Sequence, residues 1–205
     1  MDLGWIAAVS GFALAMAGTP GPNNTMVTAS GTNYGFRRTL PLMSGIATGV
    51  AAIFLVVGAI GSPIAGDPRI QEILKWVGLA YLLWLAWKIG SARPTMPNAG
   101  NGRVSGGKPF TSMQGALFQL INPKLWTMIA GAVVTYGSTA ENASPLAVAV
   151  AFGIIFGSAT FAGTAVWTLI GVGVGRVMKT ARTMRLFNWA MAALLVASLV
   201  PVMIE

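Results

Sequence analysis

Residues 18–26 read GTPGPNNTM and interrupt an otherwise apolar segment that begins at Leu3. Two prolines, two glycines and two asparagines stand where a membrane-crossing helix should still be passing through lipid. Proline has no N–H and disturbs the helix behind it, which frees backbone groups that hydrocarbon cannot satisfy. Such a break persists only against other protein or beside a water-lined cavity. It is therefore a candidate functional site.

Composition places that break in a membrane. Of 205 residues, 55% are hydrophobic and only 9% charged, and a mean hydropathy of +0.70 is too high for a soluble domain. The chain has no cysteine and no histidine, which excludes disulfides, thiolate metal sites and imidazole proton carriers. It offers no nucleophile–base pair, phosphate loop or ligand cluster, so neither an enzyme nor a cofactor is expected. The net charge of +8 lies between apolar runs rather than on one face, and reads as a topology signal instead of a nucleic-acid surface.

Six apolar stretches follow, at about 3–33, 40–61, 70–90, 110–136, 144–171 and 186–204, each near or above the ~20 residues needed to cross a bilayer. Ser62-Pro63 and AGDPR punctuate the second and third, and the Gly- and Pro-rich linker at about 91–109 separates the halves. Arg37, Arg38, Lys88, Arg93, Arg103, Lys108, Arg176, Lys179, Arg182 and Arg185 fall on one side, which the positive-inside rule makes cytoplasmic. The opposite side holds Arg69 and Lys75, with Asp2, Asp67, Glu72, Glu141 and Glu205. Both termini then lie outside. Two alternatives concern the first segment: a dip that leaves the N-terminus inside, or a cleaved signal peptide, against which the non-basic start MDLGW argues.

The fourth stretch carries its own break, QLINPKLWTM at 119–128. Aligning Pro22 on Pro123, and Leu74-Lys75-Trp76 on Phe187-Asn188-Trp189, predicts an all-α integral membrane protein of six transmembrane helices. These form two inverted three-helix repeats, with helices 1 and 4 broken by proline, in one domain over 1–205: repeat one at about 1–90, repeat two at about 110–205. Interrupted segments in matching positions of two halves point to a secondary-transporter site. Half-helices starting near Pro22 and Pro123 would present unpaired N–H groups and a partial positive charge to an anion such as a carboxylate. Asn23, Asn24 and Asn122 can add hydrogen bonds, or simply cap the restarted helices. Lys124 would add a full charge beside the second half-helix, or else snorkel to the surface.

Taken together, TPGPNN at 19–24, NYGFRR at 33–38, SGIATG at 44–49, LKWVGLAYLLWLAWK at 74–88 and the NPK ending at Lys124 resemble the LysE/RhtB group of bacterial amino-acid exporters across nearly the whole chain. That resemblance implies an exporter in the cytoplasmic (inner) membrane, working by proton antiport with alternating access around Pro20-Pro22 and Pro123, and plausibly homo-oligomeric. It implies substrate contacts at Pro20, Gly21, Pro22, Asn23, Asn24, Thr48, Gly49, Asn122, Pro123, Lys124 and Met128. Exporters of lysine and arginine in this group carry aspartates at the positions of Gly49 and Met128. Their absence here points to the neutral branch exporting homoserine, threonine or leucine, with Met26, Met43, Met128, Trp126 and Trp167 as apolar walls or plain packing. Lys124 and Glu72 are the coupling candidates, beside uncoupled export. Drug or heavy-metal efflux on the same scaffold is the alternative. Gly45–Gly49 and Gly153–Gly157 predict close helix contacts, and Gly171, Gly173 and Gly175 predict a flexible end to the fifth span.

Overall fold

The computed structural model describes residues 1–60, 68–92, 108–137, 140, 143–178 and 180–197. Asp67, Arg93, Arg103, Glu141, Lys179, Glu205, the Ser62-Pro63 turn and most of the 91–109 linker lie outside the described residues, as do the side chains of Arg69 and Lys75.

Among the described residues the chain is entirely helical. The elements are α1 (Leu3–Gly18), α2 (Pro22–Tyr34), α3 (Phe36–Ile60), α4 (Pro68–Gly90), α5 (Ser112–Leu120), α6 (Pro123–Ala132), α7 (Pro145–Val177) and α8 (Ala181–Ala197), with one π-helical turn, Val133–Gly137, closing α6. Local chemistry sets several starts. Asp2 accepts from the Trp5 N–H at 2.7 Å, and Thr111 and Gln114 form a reciprocal capping box. Ser144 caps α7, with Pro145 in its first turn. Between α2 and α3 the chain turns at Gly35, whose φ of +80° favours glycine.

Among the described residues two helices, α3 and α7, are long and apolar enough to cross a membrane alone, or up to four spans if each bent pair is one. The pairs are α1 with α2, bent by 56°, and α5 with α6, bent by 62°. Within α4, Leu79–Gly90 is a shorter apolar helix. Large apolar side chains including Trp76, Trp87, Ile154 and Trp189 are exposed, a surface suited to lipid rather than water.

The packing centres on α7, which lies along α1, α2 and α3; α3 in turn holds α5, and α4 pairs with α8. Small residues allow this closeness. A Cβ on Gly45 would strike the backbone of Ser112, and those on Gly153 and Gly157 would press on Ala51. The predicted flexible end at Gly171–Gly175 is corrected: α7 continues to Val177. Gly171 and Gly175 face the Thr28 and Thr32 carbonyls of α2, and Thr32 Oγ1 donates to the Gly171 carbonyl at 2.9 Å. Packing there overrides the low helix propensity of glycine. The helices of the third and sixth apolar stretches, α4 and α8, also begin before their expected starts, at Pro68 and Ala181.

Candidate functional site

Both breaks open on one small pocket. Gly21, Asn23 and Asn24 come from the first break, and Asn122 and Lys124 from the second. Met16, Val50, Leu125 and Met128 supply apolar walls and Thr160 a hydroxyl. The cavity measures about 30 Å³, room for roughly two water molecules.

At the first break the carbonyls that end α1 are taken up one by one. Thr19 donates to Ala15 through its N–H at 3.1 Å and to Met16 through its hydroxyl at 2.9 Å. Asn24 Nδ2 donates to the carbonyls of Ala17 at 3.0 Å and Thr19 at 2.7 Å, and the Trp167 indole reaches Gly18 at 3.3 Å. Lys124 Nζ crosses from the other break to the Thr19 carbonyl at 2.8 Å, Thr19 Oγ1 at 2.6 Å and the Pro20 carbonyl at 3.5 Å. A cation suits that position, since the C-terminal end of a helix is its negative end. Gly21 leaves the bridge its space: a Cβ there would lie 2.9 Å from Lys124 Cδ.

The second break is closed the same way. Trp126 Nε1 donates to the Leu120 carbonyl at 2.8 Å, and Ile121 and Asn122 turn their N–H groups back to Phe118 and Gln119. The starts of the restarted helices differ from this. Where Asp2, Thr111 and Ser144 cap α1, α5 and α7, the N-caps Gly21 and Asn122 of α2 and α6 make no side-chain cap bond. Pro22 and Pro123 have no N–H, and the Leu125 N–H already donates to the Asn122 carbonyl at 3.0 Å, so the amides that keep donor capacity are those of Asn23, Asn24 and Lys124.

Between the breaks lies a residue that sequence reasoning missed. Gln119, fully buried, exchanges bonds with Asn23 at 2.9 and 3.0 Å and accepts from Asn122 Nδ2 at 3.0 Å. A glutamine in an apolar half-helix, three residues before Asn122, was the available signal, because a polar side chain in a span needs a protein partner.

Of the expected contacts, Gly21, Asn23, Asn24, Asn122, Lys124 and Met128 line the pocket, with Pro20, Pro22 and Pro123 forming the breaks. Thr48 does not join them: its exposed side chain donates to Ser44 of its own helix at 2.8 Å. Gly49 sits against Ala116 and Gln119, letting α5 approach α3. Met26 and Met43 are buried in a separate cluster, and Trp126 and Trp167 serve the break carbonyls. The Lys124 ammonium is held by Thr19 rather than pointing freely at the pocket.

The family described as LysE type translocator matches residues 14–203. A cysteine/O-acetylserine efflux protein of Klebsiella pneumoniae is 30% identical over 207 residues, 98% of this chain and 97% of that protein. The protein of that name from Escherichia coli K12 is 33% identical over 130 residues, 63% of this chain and 60% of the relative. The Salmonella typhimurium one is 39% identical over 89 residues, 43% of this chain and 46% of the relative. These names do not single out the homoserine, threonine or leucine branch. No solved structure matches.

Proposed function

Because the chain belongs to the LysE type translocator family of amino-acid efflux transporters, and is thus not an enzyme, we propose that it exports small neutral amino acids through the pocket between its two breaks. The observation that carries this reading is that two uncapped half-helix starts, with Asn23, Asn24 and Asn122, line one cavity. Partial positive charge from those starts favours a carboxylate. Lys124 adds its charge to the same wall. Among the described residues no carboxylate lines the pocket, which suits a neutral rather than a cationic side chain. The relatives' names, cysteine and O-acetylserine efflux, agree with a small polar cargo.

The finer architecture belongs to the same proposal. Two inverted three-helix repeats would make α3 the counterpart of α7 and α4 that of α8, and each of these pairs packs together. The similar bends of 56° and 62°, each restarting at a proline, support it further. Six spans, outside termini and a bacterial inner-membrane location complete the reading. A cavity of about 30 Å³ must widen to admit an amino acid, as alternating access requires. Proton antiport would draw on Lys124 or on the exposed Glu72.

Export itself is the test. Cells with and without the protein are loaded with amino acids as dipeptides, and release is followed with and without a protonophore. Selective release of neutral amino acids that collapses with the protonophore is expected; no release of any amino acid would overturn the reading.

A further inference from the structure

Among the described residues, Asn122 Oδ1 is the buried side-chain oxygen left with no hydrogen-bond partner. Asn122 is only 1% exposed, yet it belongs to the pocket lining. Its amide orientation is dictated by the network around it. Gln119 Nε2 donates to the Gly115 carbonyl at 3.0 Å, and a backbone carbonyl can only accept, so Gln119 cannot be flipped. Gln119 Oε1 is then the acceptor toward both asparagines, and Asn122 must turn its Nδ2 to it. That leaves Oδ1 as an acceptor without a donor, a costly state for a buried group.

Resting on the exporter reading above, we infer that Asn122 Oδ1 receives the substrate's α-ammonium, and that Gln119 is the positioning residue that holds it ready. The donors and acceptors of the lining suit this division of labour. Backbone amides at the half-helix starts can only donate, so they serve the carboxylate, and Lys124 adds positive charge from the break while held by Thr19. A zwitterion also needs an acceptor for its ammonium, and Asn122 Oδ1 is a buried acceptor left open in the lining. Ammonium and carboxylate share one carbon, so an acceptor at Asn122 beside free amides receives both groups of one molecule. Gln119 lies outside the pocket lining and acts only through Asn122 and Asn23.

O-acetylserine and N-acetylserine have the same composition, but only the first has a free ammonium. Counterflow of labelled O-acetylserine into proteoliposomes of the full chain, competed with each isomer, reads the difference. In the wild type the free amine should compete more strongly by roughly ten- to a hundredfold, the range for one hydrogen bond to a charged group. Asn122→Leu should erase that preference by weakening the free amine alone, and Gln119→Leu should do the same without touching substrate. Equal competition by both isomers in the wild type overturns the inference, and this arm stands even if the variants fail to insert. A preference that survives Asn122→Leu, or an equal loss for both isomers, overturns it as well. Absence of counterflow with O-acetylserine, cysteine and serine alike would instead bring down the exporter reading itself.

Discussion

Asn23 and Gln119, 96 residues apart, face each other as a reciprocal amide pair: Asn23 Nδ2 donates to Gln119 Oε1 at 3.0 Å and Gln119 Nε2 returns a bond to Asn23 Oδ1 at 2.9 Å. The pair joins the first turn of α2 to the last of α5, and so ties one break to the other.

Removing either partner leaves buried polar atoms unpaired. Asn23→Leu and Gln119→Leu should each destabilise the protein by about 1–3 kcal/mol. The double variant should cost clearly less than both together, because the bonds between Asn23 and Gln119 are lost once rather than twice. Unfolding midpoints in detergent check this; strict additivity would show that the pair contributes no coupling.

Lys124→Met deletes the bridge to Thr19 and Pro20 and the charge from the pocket wall. Export by correctly inserted protein should fall by about tenfold or more, the scale of a lost charged hydrogen bond. Normal export by that variant would sink the role proposed for Lys124 in holding a carboxylate.

Gly21→Ala probes the same bridge without deleting it. A Cβ at this position would lie 3.2 Å from Lys124 Nζ, and a flexible side chain can yield. Stability should therefore change by less than about 1 kcal/mol, while export drops less than in Lys124→Met. A variant with undiminished export would mean that the placement of Lys124 over Gly21 is immaterial.

Gly171 and Gly173 offer a comparison two residues apart. A Cβ on Gly171 would drive into the Thr28 carbonyl, whereas Gly173 has nothing within 4 Å. Gly171→Ala should cost about 1–3 kcal/mol or more by forcing α2 from α7. Gly173→Ala should be neutral or stabilising by up to about 1 kcal/mol, the helix preference of alanine over glycine. Thermal melts of the two proteins decide it, and equal effects would contradict the packing described for α2 and α7.

The positions of the two breaks were legible because their cause is local. Pro22 and Pro123 remove an N–H and each begins a helix, whatever surrounds them. Asn23, Asn24 and Asn122 were likewise visible as polar residues beside those breaks. Gln119 escaped notice because its importance rests on partners far away in the chain. The run of α7 through Gly171 and Gly175 could not be read either, since glycine propensity argues for an end and only the α2 backbone across the interface reverses that.

Membrane character, the all-helical fold and the paired interruptions were therefore determined by the sequence alone, through hydropathy and the missing proline donors. The tertiary structure decided which groups remain available to a substrate. Lys124 has a long stem that reaches many places, and packing alone delivers its ammonium to Thr19 across the gap. Asn122 could have capped α6, yet the fixed amide of Gln119 turns it aside and leaves one oxygen open. Long-range hydrogen bonds allot donors and acceptors, and no local pattern of residues carries that information.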